Sequence, residues 1–190
     1  MDSLENSKKY MLNDISKSFF GKKVLITGHT GFKGSWLSLW LNNLGASVSG
    51  ISIDIPSSPS NFDVTNLSNQ IDDYRIDILD ATAVKLAVKK IQPDYVFHLA
   101  AQALVRSSYD NPLETITTNA TGSANLMESL RCLDKDVVAI MITSDKAYDN
   151  LEWPWGYKET DRLGGKDPYS ASKGMAELAI RSYIESFFNK

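Results

Sequence analysis

The sequence predicts an α/β fold, a doubly wound parallel sheet with helices on both faces. Three observations predict it. Short apolar runs alternate with stretches of helical length and periodicity along the chain. The first run opens directly into a turn carrying three glycines and then a helix, and Gly, Pro, Asn and Asp punctuate the junctions. At 190 residues and 43% hydrophobic composition, the chain is long enough for one domain with a sizeable core.

Residues 1–20 are polar with an apolar patch at Phe19 and Phe20, a lead-in expected to be ordered only where it meets the domain that follows over 21–190. A first strand is predicted over Lys23–Thr27, then a helix over Gly34–Asn43 with Trp36, Leu37, Trp40 and Leu41 on one side and Gly45 as its stop. A second strand follows at Ser47–Ile53. Pro56–Gln70, rich in Ser, Asn and Pro, reads as a loop. A short strand near Tyr74–Ile76 and a helix over Thr82–Ile91 lead to Gln92-Pro93-Asp94, which marks the next junction. The rest reads as strand Tyr95–Leu99, helix Pro112–Leu133, strand Val137–Thr143 and helix Tyr169–Phe187. This is a Rossmann-like order that stops one strand short. The sheet is therefore expected to be incomplete at its C-terminal edge, with Val137–Thr143 presenting unpaired backbone groups there.

Composition narrows the function classes. Twenty basic and 23 acidic residues give a net charge of −3 without a dense basic run, which argues against a nucleic-acid partner. The single Cys132 excludes an intrachain disulfide and reads as a packed small residue, and two histidines, His29 and His98, supply no metal-ligand spacing. No apolar run has the length of a membrane span and Met1–Tyr10 lacks the apolar core of a signal peptide, so the expectation is a cytoplasmic protein.

The segment Val24–Gly34 points to a dinucleotide. Gly28 can take the conformation of a tight turn, Gly31 lets the main chain approach a pyrophosphate, and Gly34 lets the helix pack closely, while the helix N-terminus offers unpaired N–H groups to phosphates. Asp54, twenty positions after Gly34, stands where a carboxylate accepts from ribose hydroxyls and repels a 2′-phosphate, favouring NAD over NADP; a plain strand-end aspartate is the alternative. Asp77 and Ile78 would flank the adenine or be ordinary turn residues. Leu99, Ala100 and Ala101 would line the cofactor or simply pack.

A second constellation is Tyr169-Ser-Ala-Ser-Lys173 at a helix start, preceded by Thr143-Ser144-Asp145-Lys146 at a strand end. Spacing of four stacks the phenol and the ammonium on one helical face. The lysine charge stabilises phenolate, so Tyr169 could take a hydroxyl proton near neutral pH while Lys173 holds the nicotinamide ribose.

With these motifs in hand, the chain resembles the extended short-chain dehydrogenase/reductase family, and within it the CDP-glucose branch of the sugar-nucleotide 4,6-dehydratases. The resemblance rests on Gly28–Leu41, Phe97–Gln102, Thr143–Lys146, Trp153–Asp161 and Gly164–Lys173, and covers roughly Phe20 to the C-terminus. It implies NAD as cofactor, with Phe32 and Lys33 added to its contacts and Thr118 either a further contact or a plain helix-face threonine. It further implies dehydration of CDP-glucose to CDP-4-keto-6-deoxyglucose by transient C4 oxidation, loss of water across C5 and C6, and hydride return to C6. By the same resemblance Tyr169 is the base, Ser144 hydrogen-bonds the C4 oxygen and Asp145 protonates the departing C6 hydroxyl. Lys146 replaces the glutamate of other branches as C5 base, which requires burial or nearby positive charge to keep it neutral; otherwise it is a surface lysine pairing with Asp145. Gln102 and Arg106 become candidate substrate contacts, and Trp153 and Trp155 either wall the sugar site or pack. Relatives continue into a C-terminal domain that recognises the nucleotide, so residues 1–190 are expected to be inactive alone. Helices Pro112–Leu133 and Tyr169–Phe187 match those of a paired-helix homodimer. A non-catalytic NAD-binding or dimerisation module and a sugar-nucleotide epimerase or reductase are the rivals; Asp145-Lys146 argues against the last.

Overall fold

The computed structural model describes residues 14–188. Its strands are β1 (Lys23–Thr27), β2 (Ser47–Ser52), β3 (Asp72–Arg75), β4 (Tyr95–His98) and β5 (Val138–Met141). They form one sheet in the order β3-β2-β1-β4-β5, every pair parallel. The order reverses direction between β1 and β4, which opens a crevice at their carboxyl ends. The helices are α1 (Phe32–Asn43), α2 (Asn61–Val64), α3 (Ala81–Ile91), α4 (Val105–Asp110), α5 (Pro112–Ile116), α6 (Gly122–Arg131) and α7 (Pro168–Tyr183), with a π turn at Thr117–Thr121 joining α5 to α6.

The pleat of β1 divides the core. Leu25 points to one face with Ile51 and Val96 and meets Val84, Val88 and Ile91 of α3 and Leu126 and Leu130 of α6. Val24 and Ile26 point to the other, with Val48, Leu41 of α1 and Phe19 of the lead-in. Phe19 packs against Tyr95 with ring centroids 4.9 Å apart and the planes tilted by 52°, so the lead-in meets the domain through that ring. The lead-in before residue 14 lies outside the described residues.

Several expectations are corrected. α1 does not bury its tryptophans: Trp36 is 53% and Trp40 46% exposed, and the face turned inward is Gly34, Ser35, Ser38 and Leu41. Small residues let this helix lie close to the sheet, and the Ser38 hydroxyl is satisfied by donating to the Gly34 carbonyl at 2.8 Å. Pro56–Gln70 is not plain loop; Ser60 caps α2 by accepting from Asp63 N–H, and Phe62 and Leu67 are fully buried. Cys132 is exposed, because it follows the last turn of α6 after the buried Leu130. The helix expected over Pro112–Leu133 runs on through α5, the π turn and α6 to Arg131, and α4 ahead of it was not anticipated.

β5 does lie at a sheet edge, with Val138 and Ile142 exposed. Beside it opens a groove of about 700 Å³ lined by Met127, Leu130, Val137, Met141, Ile184 and Phe187 among others. Among the described residues no helix is long and apolar enough to cross a membrane.

Candidate functional site

The glycine turn sits between the carboxyl ends of β1, β2 and β4. Gly28 donates its N–H to Ile51 O at 2.7 Å, and Thr30 Oγ1 donates to Asp54 O at 2.6 Å, so the turn is tied to the end of β2. Gly28 has φ +75°, and a Cβ there would stand 2.7 Å from Ala100 N. A Cβ at Gly34 would stand 2.1 Å from the Gly28 carbonyl oxygen. Only glycine fits either place. The N-cap of α1 is Gly31, which supplies no side-chain acceptor to the first-turn N–H groups, and the first turn carries Lys33 and no acid. Such an end favours an anion. Phe32 and Lys33 are exposed at its mouth.

Beneath the turn lies His29, a residue for which sequence spacing gave no role. It is fully buried, with Nε2 2.9 Å from Asp73 Oδ1 and Nδ1 3.1 Å from Ser52 Oγ, and its ring meets Phe62 edge-on at 5.4 Å. Burial lowers its pKa despite the opposing pull of Asp73. The only prior sign was that Gly50 in β2 leaves the space its ring takes.

Asp54 is exposed past the end of β2, free to face a ligand. Asp77 caps the following turn by accepting from Leu79 N–H at 2.9 Å. The Ile78 side chain packs in the core against Gly122. Leu99, Ala100 and Ala101 are half-buried at the end of β4, Ala100 N–H donating to Thr27 Oγ1 at 3.1 Å.

α7 carries the second half of the site. Asp167 caps it, accepting from Ser170 N–H at 3.0 Å and from Ser170 Oγ at 2.6 Å, and Pro168 fits the first turn. Tyr169 and Lys173 are both buried on one face, with Lys173 Nζ 5.9 Å from the Tyr169 ring centroid. Burial lowers the Lys173 amine, opposed by the charge of Glu177. His98 of β4 is pushed down to about 3 by burial and by Lys173, and stays neutral between Thr27 Oγ1 at 2.7 Å and Ser123 Oγ at 3.0 Å.

The π turn joins this helix to the sheet. Asn119 donates to Ser172 Oγ at 2.8 Å and to Gln102 O at 3.0 Å, and accepts from Gln102 N–H at 2.9 Å. The Gln102 side chain donates to Leu104 O and to Thr115 Oγ1 and accepts from Leu104 N–H. Arg106 is exposed in the first turn of α4, and Thr118 is half-buried in the π turn.

Past β5, Ser144 caps a short 3₁₀ turn, Asp145–Ala147; its Oγ accepts from Lys146 N–H at 3.2 Å and donates to Asp145 Oδ1 at 3.1 Å. Asp145 and Lys146 are exposed, so the burial that would neutralise the lysine is not provided by the described residues. The turn seats on α7 through buried Ala147, whose carbonyl accepts from Gly164 N–H at 2.8 Å and lies close to Gly174. From it extends a loop in which Trp153 and Trp155 stack at 5.3 Å and Tyr148 stacks on Tyr157 at 5.3 Å. These rings pack on one another, with Trp155 still 60% exposed.

The turn, the buried Tyr-Lys face and the Ser-Asp-Lys turn thus converge around the carboxyl ends of β1, β4 and β5. Residues 25–188 match the family model described as GDP-mannose 4,6 dehydratase. The chain belongs to that family. Its relatives within the wider group include CDP-glucose 4,6-dehydratase of Salmonella typhimurium, 48% identical over 92% of this chain and 49% of the relative, and CDP-paratose 2-epimerase of Salmonella typhi, 30% identical over 87% and 54%. Among solved structures, UDP-glucose 4-epimerase of Thermus thermophilus in complex with NAD superposes with TM-score 0.74 at 28% identity, covering 87% of this chain and 51% of the other. The UDP-glucose 4-epimerase of Thermotoga maritima gives 0.75 at 27%, over 87% and 52%. The chain spans about half the length of the relatives it matches.

Proposed function

We propose that this chain forms the NAD-binding, proton-transferring part of a CDP-glucose 4,6-dehydratase, a lyase. The observation that carries the reading is the buried Tyr169–Lys173 face set beside the Ser144–Lys146 turn, both at the sheet end that holds the glycine turn. The residues fit the cofactor: at Gly28 and Gly34 a Cβ would collide with backbone, and the uncapped N-terminus of α1 suits a diphosphate. Gly28, Gly31, Phe32, Lys33 and Gly34 would hold the diphosphate, Asp54 the adenosine ribose, Asp77 and the Leu99–Ala101 main chain the adenine side, and Thr118, Tyr169 and Lys173 the nicotinamide side.

When bound there, NAD supplies a reversible hydride acceptor for the sugar C4 position. Tyr169 takes the C4 hydroxyl proton, its phenolate favoured by the ammonium of Lys173. Ser144 holds the C4 oxygen, Asp145 protonates the departing C6 hydroxyl, and Lys146 takes the C5 proton once the sugar covers it and strips its water. A simple epimerase needs no acid for a C6 leaving group, and Asp145 is the feature that separates the two readings.

The 48% identity to CDP-glucose 4,6-dehydratase supports CDP-glucose as the substrate. Exposed Leu113 of α5 and Met175 and Leu178 of α7 support a homodimer through these helices. The test is to incubate the chain with NAD and CDP-glucose and assay the 4-keto-6-deoxy product. Little turnover is expected from residues 1–190 alone, and turnover when the second half of a relative's length is supplied. Tyr169→Phe and Lys146→Ala in that longer form should each abolish product. An intact rate with Lys146→Ala would remove it as C5 base.

A further inference from the structure

The two halves of the proposed site sit on different elements: Ser144, Asp145 and Lys146 follow β5, whereas Tyr169 and Lys173 ride on α7. A sugar held between them would need their separation fixed to a fraction of an ångström. One side-chain contact crosses from the last residue of the strand-end run to the catalytic face of the helix. Thr143 Oγ1 donates a hydrogen bond to Glu177 Oε1. Glu177 lies one helical turn beyond Lys173, so Tyr169, Lys173 and Glu177 succeed one another at intervals of four along the same face. The contact is partly buried, and it joins residues 34 apart in sequence. The backbone seat at Ala147 and Gly174 brings the turn close to the helix, and the Thr143–Glu177 bond adds a side-chain tie between them.

We propose that Glu177 is a positioning residue for the dehydratase reaction: it fixes the Ser144–Lys146 turn to α7 through Thr143 and places the ammonium of Lys173 beneath Tyr169. The inference rests on the NAD-dependent reading of the site. Glu177 touches no reacting atom; it acts through two groups that do or that adjoin those that do. A carboxylate suits the task because one oxygen takes the threonine hydroxyl while its charge stands one helical turn from the buried lysine. Lys173 is 6% exposed, and the charged side chain acting on it is Glu177, while His98, facing it from β4, is neutral.

The experiment uses the chain itself, with two readouts. Titration of Lys173 by NMR in the cofactor-free protein needs no NAD, and NAD affinity by calorimetry reads the positioned site. Glu177→Gln keeps an acceptor for Thr143 but removes the charge; it should lower the Lys173 titration midpoint. Thr143→Val keeps the charge but removes the donor; it should leave that midpoint near wild type. Each should weaken NAD roughly tenfold, and because the two changes remove different functions of the carboxylate, the double variant should combine the two losses. Thr143→Ser should restore affinity. Unchanged Lys173 titration in Glu177→Gln, or unchanged NAD affinity in Thr143→Val, would overturn the proposal. Should the wild-type chain fail to bind NAD, the cofactor reading falls, and the Lys173 titration still decides whether Glu177 governs that ammonium.

Discussion

Gly34 and Gly28 carry the sharpest residue-scale prediction. A methyl at Gly34 meets the Gly28 carbonyl oxygen at 2.1 Å, which neither backbone can yield without opening the turn. Gly34→Ala should therefore cost about 3 kcal/mol or more in thermal or denaturant unfolding and should abolish NAD binding. His98 carries a pH prediction. Its folded pKa, about 3, lies below the ordinary 6.5, so below 6.5 the unfolded chain binds a proton that the fold refuses. Stability from this group is complete above pH 6.5 and is lost as pH falls from there toward 3. Melting temperature against pH should show that decline, and His98→Gln, which keeps polar contacts without titrating, should flatten it. His29, also lowered by burial, acts with the same sign and adds to the slope. The roles of Gly28 and Gly34 were legible in the sequence because glycine spacing encodes backbone conformation directly. His29, Asn119 and Ser172 were not, since each matters through a partner from a distant segment: Asp73, Gln102 and Ser172 with Asn119 itself.

At the scale of elements, the parallel strands were readable because β-branched and apolar runs bounded by turn residues survive any tertiary context, and each was found within about two residues of its expected place. α1 was found where expected, and of the apolar side Trp36, Leu37, Trp40 and Leu41 it buries Leu41 together with Gly34, Ser35 and Ser38, because close approach to the sheet selects small residues and hydrophobicity carries no signal of that. α7 depends on its cap. Asp167→Ala removes the acceptor for Ser170 N–H and should cost about 1 kcal/mol. Because that first turn carries Tyr169, NAD affinity should fall with it; a loss of stability with unchanged affinity would show that the turn does not position the phenol.

Among the described residues the sheet has five strands, with β5 at its edge beside a groove lined by both apolar and charged side chains. An exposed apolar edge pairs with other chains. Light scattering should therefore show concentration-dependent association, and Val138→Lys, placing a charge where Val138 is 54% exposed, should reduce it without lowering the melting temperature. The central claim is that this sheet end holds NAD. Calorimetric titration of the purified chain with NAD and, separately, NADP tests it most directly. The account predicts saturable binding of one NAD per chain, weaker binding of NADP, and no binding after Gly34→Ala; no heat of binding with NAD in the folded wild-type chain, or equal affinity for NADP, would contradict it.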